Sequence, residues 1–292
     1  MDRFLHVNGL RLRLIDHGGA GLPLLLLHGL TANARSFDGL IAAGLGARFR
    51  VLAPDLRGRG ASDDGDSYAM AAHAADVLGL LDALDLDQIA LVGHSFGGLL
   101  ALYLAATQPR RVSQIVALDA AIAAADPRVR EQLRPALARL GQVYPSFESY
   151  LATMRAAPYW GGWWDPLLES YYRADVVTHA DGSVQPRARP EAIAAAMEGV
   201  LAEDWPALVR AIRQPVLLIN APEPYGPPGA PPLLSEADAR ATVELLTHGR
   251  YLQAPGNHMT MLYRDGARAI VAAIESFAAE QVPCTGMTHK QK

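Results

Sequence analysis

Gly93-His94-Ser95-Phe96-Gly97-Gly98 sets a serine among small residues where an apolar strand meets a helix, and no other stretch of the 292-residue chain limits the fold as much. The run Ile89-Ala90-Leu91-Val92 reads as a buried strand and Leu99 to Ala106 as a buried helix, so Ser95 falls on the turn between them. A side chain on such a turn is held in a strained backbone conformation. Gly93 and Gly97 permit it by leaving room beneath, so that the hydroxyl projects from the top of a sheet. The Phe96 N–H opens the helix, where developing negative charge is stabilised. The pattern is that of a nucleophile elbow.

The segments before it supply sheet. Phe4 to Val7 and Leu10 to Ile15 flank Asn8-Gly9, a strong hairpin signal, and Leu24 to Leu27 reads as a central strand. That strand runs into His28-Gly29-Leu30, whose glycine lets the Leu30 N–H face the same crevice as Ser95. Leu30 and Phe96 are therefore the candidate oxyanion donors. A helix follows from about Ala34, then a strand over Arg50 to Ala53. The loop Asp55-Leu56-Arg57-Gly58-Arg59-Gly60-Ala61-Ser62 lacks the Lys-Ser/Thr of a phosphate-binding loop and the glycine spacing of a dinucleotide site. It is read as structural, with Asp55 tying it to itself. Ser67 to Leu84 has helical spacing, with Ser67 as N-cap and His73 as a packing or surface residue. Val112 to Leu118 is a strand that delivers Asp119 at its end.

From about Ile122 to Leu208 helical segments appear with no good strand between them, and aromatic residues crowd in; the stretch reads as a helical cap inserted between core strands. Most of its rings suit the cap's own core. Tyr159-Trp160-Gly161-Gly162-Trp163-Trp164 differs, because two glycines among four large rings suit a mobile lip. Trp160, Trp163 and Trp164 are candidate pocket residues. Val216 to Ile219 returns to the sheet, and Asn220 to Pro232 is a Pro- and Gly-rich excursion containing Glu223. An amphipathic helix from Ser235 to Leu246 and a short strand from Arg250 to Ala254 follow. Pro255-Gly256-Asn257-His258 then places a histidine on a loop, before a last helix from Met261 to about Ala279. The expected division is core over 1–121, cap over 122–208, core over 209–280 and a loosely packed tail over 281–292.

A net charge of −4 gives no basic stripe, so neither nucleic acid nor an anionic membrane is an expected partner, and a small molecule is. Cys284 is the only cysteine, which excludes an internal disulfide and a cysteine-based metal site. The N-terminus lacks a basic segment followed by a long apolar stretch, and no run reaches membrane-spanning length; a cytoplasmic setting is expected. Nothing in the sequence speaks to oligomeric state.

The His28-Gly29 strand end, the Asp55-Leu56-Arg57-Gly58-Arg59-Gly60 loop, the Gly-His-Ser-Phe-Gly-Gly elbow and the late Gly-Asn-His together resemble the α/β-hydrolase superfamily. The resemblance covers nearly the whole chain. It implies an α/β fold with an eight-stranded, mostly parallel sheet, helices on both faces, and a cap inserted after the sixth strand. It also implies a triad in the order Ser, acid, His. Ser95 needs a base within hydrogen-bond reach, and of nine histidines His258, on the loop after the last strand, is the choice. The resemblance gives His28 and His94 the shaping of the oxyanion loop and the elbow, at the edge of the substrate pocket.

The acid is open between two residues. Relatives commonly carry Gly-x-x-Asp after the seventh strand, where this chain has Asn220-Ala221-Pro222-Glu223-Pro224. Asp119 ends the sixth strand, where some cap-bearing relatives keep the acid, and a strand end is rigid. Asp119 is favoured and Glu223 is the alternative. A serine nucleophile points to acyl transfer, with hydrolysis of small to medium apolar esters or lactones first. Cleavage of a C–C bond in dienone acids or a small aminopeptidase activity would use the same triad. None of these requires a metal or cofactor. A non-catalytic small-ligand receptor is the reading from another class.

Overall fold

The computed structural model describes residues 1–125, 127–227 and 229–280. Ten strands are formed among these residues: β1 (Asp2–Val7), β2 (Leu10–Gly18), β3 (Leu22–Leu27), β4 (Phe49–Pro54), β5 (Ile89–His94), β6 (Val112–Leu118), β7 (Val176–Thr178), β8 (Val184–Pro186), β9 (Val216–Asn220) and β10 (Gly249–Gln253). Eight of them make one sheet in the order β1-β2-β4-β3-β5-β6-β9-β10. The β1–β2 and β2–β4 pairs are antiparallel and every later pair is parallel. Asn8 and Gly9, both at positive φ, close the opening hairpin, as a two-residue turn matched to strand twist requires.

Leu24, Leu25, Leu26 and Leu27 are all at most 1% exposed, because β3 is central and covered on both faces. Each contributes about 2 kcal/mol of transfer free energy. Alternate residues feed two cores. Leu24, Leu26, Val51, Val92 and Ile219 face one side, against α1 (Asp38–Ala42) and the long C-terminal helix over Arg264–Glu280. Leu25, Leu27, Leu91, Ala117 and Leu218 face the other, against α2 (Met70–Ala83) and α3 (Phe96–Thr107).

Between β6 and β9 the chain makes α4 (Pro127–Leu137), α5 (Phe147–Arg155), α6 (Leu167–Asp175), α7 (Pro190–Leu201) and α8 (Trp205–Ala211). Contrary to the all-helical expectation, β7 and β8 pair as an antiparallel hairpin within this insert, with Asp181, Gly182 and Ser183 at its turn. Three-residue strands are too short to leave a periodic signal. After β9 come α9 (Glu236–Glu244), capped by Ser235, and α10 (Arg264–Glu280), which starts three residues later than its apolar pattern implied because Thr260–Leu262 form a 3₁₀ turn. Ser67 is not the N-cap of α2: Ala69 occupies that position without a side-chain bond, and the Ser67 carbonyl instead accepts from Arg57 Nη1 at 2.8 Å. The tail over 281–292 lies outside the described residues.

Candidate active site

Ser95 stands between β5 and α3 at φ 53° and ψ −119°, a conformation L-residues avoid. The turn is tight enough to demand glycine at both flanks. A Cβ on Gly97 would lie 1.9 Å from the Leu27 carbonyl oxygen, and one on Gly93 would lie 2.2 Å from that of Gly97. The Ser95 N–H donates to the Leu118 carbonyl at 2.9 Å, tying the turn to β6. Ser95 lines a cavity between the sheet's C-terminal edge and the insert, with Leu30, His94, Arg139, Tyr225 and His258 around it. Including its open mouth, that space measures ≈ 690 Å³.

β10 ends in the Pro255-Gly256-Asn257-His258 loop, and its conformation depends on Asn257. The Asn257 Oδ1 accepts the N–H groups of Met259 and Thr260, each at 3.0 Å, while its Nδ2 donates to the carbonyls of Tyr159 and Pro224. His258 Nδ1 lies 2.7 Å from Asp119 Oδ2, and both side chains are buried. With a carboxylate as acceptor, the proton sits on Nδ1 and the Nε2 lone pair is free. Asp119, at φ 46°, is itself held: Asn220 Nδ2 and the Ala221 N–H both donate to its Oδ1 at 2.9 Å. Asn220 in turn accepts from Tyr251 and donates to the Leu234 carbonyl. Asn257 lies in the Gly-Asn-His stretch that marks His258, but nothing in that stretch assigns the asparagine its bracing role, and the signal for Asn220 is its place at the end of β9, beside Asp119.

Glu223 does not reach His258. Its Oε1 accepts the Gly256 N–H at 3.0 Å and its own N–H donates to the Gly256 carbonyl, so it braces the same loop from outside. The His94 Nε2–H donates to the His258 carbonyl at 2.8 Å, and the two rings lie 4.5 Å apart. Burial, and then the charge His258 can carry, press the His94 pKa well below its usual value, so it supports the loop as a neutral ring.

His28 is fully buried and is not among the residues lining the cavity. Its Nδ1–H donates to the Gly29 carbonyl at 2.8 Å and its Nε2 accepts the Leu56 N–H at 2.9 Å, which fixes the turn into Leu30. Among the described residues, neither the Leu30 nor the Phe96 N–H has a backbone or side-chain acceptor. The three tryptophans are not brought to the Ser95 cavity. Trp160 and Trp163 stack at 5.8 Å and border a separate cleft with Tyr159 and Glu223, and Trp164 stacks on Tyr172. Among the described residues no cluster of three or more His, Cys, Asp or Glu side chains is disposed to hold a metal, and no helix is long and apolar enough to cross a membrane.

A serine on a strained strand-to-helix turn, with a buried histidine that borders the same cavity and is paired to an aspartate, is a constellation of the α/β-hydrolase type. A family model described as the alpha/beta hydrolase fold matches residues 23–237, and the chain belongs to that family. Over 216 residues it is 30% identical to the 2-(acetamidomethylene)succinate hydrolase of Mesorhizobium japonicum, covering 69% of this chain and 71% of that protein. It is 39% identical over 120 residues to a 2-hydroxymuconate semialdehyde hydrolase of Pseudomonas, covering 39% of this chain and 41% of the relative. With an uncharacterized protein of Mycobacterium tuberculosis it shares 38% identity over 119 residues, 40% of this chain and 34% of that one, so the chain spans about a third of that relative's length. Among solved structures, E-2-(acetamidomethylene)succinate hydrolase superposes with a TM-score of 0.78 at 24% identity, covering 96% of this chain and 99% of that one. The enol-lactonase of Burkholderia xenovorans gives 0.68 at 20%, covering 94% and 99%. At these identities the likeness is one of fold.

Proposed function

We propose that the chain is a serine hydrolase of carboxylic esters or lactones, working through Ser95, His258 and Asp119. The observation that carries this is the 2.7 Å His258–Asp119 contact at the cavity that Ser95 also lines. Asp119 holds the proton on Nδ1, which leaves Nε2 to take the proton of Ser95 as its Oγ attacks the substrate carbonyl. The oxyanion that forms accepts the N–H groups of Leu30 and Phe96, which are preorganised and free for it. His258 then returns its proton to the leaving alkoxide, and water, deprotonated by the same imidazole, hydrolyses the acyl-enzyme. The mechanism as drawn uses no metal or cofactor.

In this reading residues 122–208 are a cap over the core segments 1–121 and 209–280. Tyr159, Tyr171 and Tyr172 bring the insert to the cavity wall, which supports that division. A second reading, C–C bond cleavage in a dienone acid, is favoured by the polarity of the same wall. Ser36 Oγ is buried there without a hydrogen-bond partner, and burial keeps the Tyr171 and Tyr225 phenols well above their usual pKa, hence as donors. Such groups suit a substrate with a further oxygen acceptor. Parallel assays with p-nitrophenyl esters of rising chain length, simple lactones and a dienone acid separate the readings. Ester or lactone turnover lost in Ser95→Ala supports the first; turnover of the dienone acid alone supports the second. No turnover of any class would leave a ligand receptor.

A further inference from the structure

Among the described residues three arginines are buried around the oxyanion loop, and one of them has no counter-charge there. Arg57 meets Asp76 through two bonds of 2.6 Å. Arg139, from the insert, meets Asp175 and places its remaining donors on Ala136, on the Thr31 hydroxyl and, at 2.8 Å, on the Thr31 carbonyl. Arg59 is fully enclosed yet forms no ion pair among the described residues, and its Nη2 has no hydrogen-bond partner.

Two of the contacts Arg59 makes fall on the residues whose N–H groups receive the oxyanion in the proposed mechanism. Its Nε–H donates to the Leu30 carbonyl at 3.0 Å, and its guanidinium carbon lies 5.4 Å from the centre of the Phe96 ring. Nη1 is anchored on the Arg57 carbonyl at 2.7 Å and on His73 Nε2 at 3.0 Å. His73 is a neutral acceptor there, because its Nδ1–H is committed to the Ala69 carbonyl. Tyr68 lies on the guanidinium as well, at 5.6 Å, and its hydroxyl donates a hydrogen bond to Asp64 at 2.6 Å. Burying a cation without a counter-ion is costly, and an apolar side chain of similar volume would fill the space more favourably. A role confined to packing therefore does not account for arginine at this position.

We propose that Arg59 is a positioning residue for the oxyanion hole: it fixes the Leu30 peptide through its carbonyl and the start of α3 through the Phe96 ring, so that the two N–H groups converge. The inference rests on the hydrolytic reading above. It is tested on the full chain with Arg59→Met and Arg59→Lys, using p-nitrophenyl butyrate and checking each fold by thermal melting. Removing one oxyanion donor costs about 10²–10³ in kcat. Misplacing the donors is expected to lower kcat by about 10–100-fold in both variants with KM changed less than about twofold. The affinity for butylboronic acid, which forms the tetrahedral adduct, is expected to fall by the same factor, while that for butyrate holds. The lysine variant keeps the charge but not the planar fork, so it recovers little. Folded variants that keep kcat, or that lose only KM, overturn the proposal. So does failure of both variants to fold, which would make Arg59 a residue of the fold alone. A wild-type protein with no esterase activity overturns the hydrolytic reading itself, and is told apart by the wild-type assay.

Discussion

Asp119 and Glu223 compete for one role in the sequence, and the fold separates them by what each can touch. Asp119 meets His258 Nδ1 at 2.7 Å, whereas Glu223 meets only the backbone of Gly256. The difference was not legible locally, because it follows from β6 and β9 lying side by side with Leu118 opposite Ile219. That register brings the Asn220 amide onto the Asp119 carboxylate, and an asparagine after a strand announces nothing by itself. The elbow was legible because Gly93, Ser95 and Gly97, spaced two residues apart, encode their own backbone geometry. Asp119→Asn should leave the fold intact and lower kcat by up to about 10⁴, as in other triads where the imidazole takes the wrong tautomer. Glu223→Gln should cost less than about tenfold, since the amide oxygen still accepts from Gly256. Steady-state kinetics on the two folded variants check the ranking; the reverse order would assign the acid to Glu223.

Elements meet at the site through neutral histidines. His28 joins the end of β3 to the loop after β4, His73 joins α2 to Arg59, and His94 joins the end of β5 to the loop after β10. Burial holds His28 at a pKa of about 4 and His73 at about 3, and His94 is lowered in the same direction. In the unfolded chain each titrates near its usual value of about 6.5. As pH falls below that value the unfolded state binds more protons than the folded one, so stability declines until the folded pKa is reached. Between pH 7 and 5 the expected loss is roughly 2 kcal/mol for each of His28 and His73. Urea denaturation across that range measures it; a flat profile would mean that these rings are charged in the fold. Strand and hairpin boundaries were legible from periodicity and turn chemistry, with β3 and the Asn8-Gly9 turn the clearest. The β7–β8 hairpin and the 3₁₀ turn at Thr260–Leu262 were not, because they are shorter than the repeat that would reveal them.

At the scale of the molecule, the insert and the core are joined where Arg139 reaches from the insert to Thr31 and is held by Asp175. The tryptophans of the 159–164 segment suggested a pocket by composition, yet they stack on one another and on Tyr172, and the cleft that Trp160 and Trp163 border is not the one Ser95 lines; which cavity an aromatic faces is set by tertiary packing that no local pattern records. Arg139→Met would strand the Asp175 charge and is expected to cost about 3–5 kcal/mol, with much of it restored in Arg139→Met/Asp175→Leu. Thermal melts of the single and double variants read this, and equal melting of wild type and Arg139→Met would mean that the tie adds no stability. In the proposed mechanism Ser95 is a nucleophile activated by His258. The most direct test of this is the intact mass and peptide map of the protein after exposure to a fluorophosphonate. One adduct is expected, on Ser95, its formation abolished in Ser95→Ala and slowed by orders of magnitude in His258→Ala. An unmodified wild-type protein, or an adduct on any other residue, would contradict that mechanism.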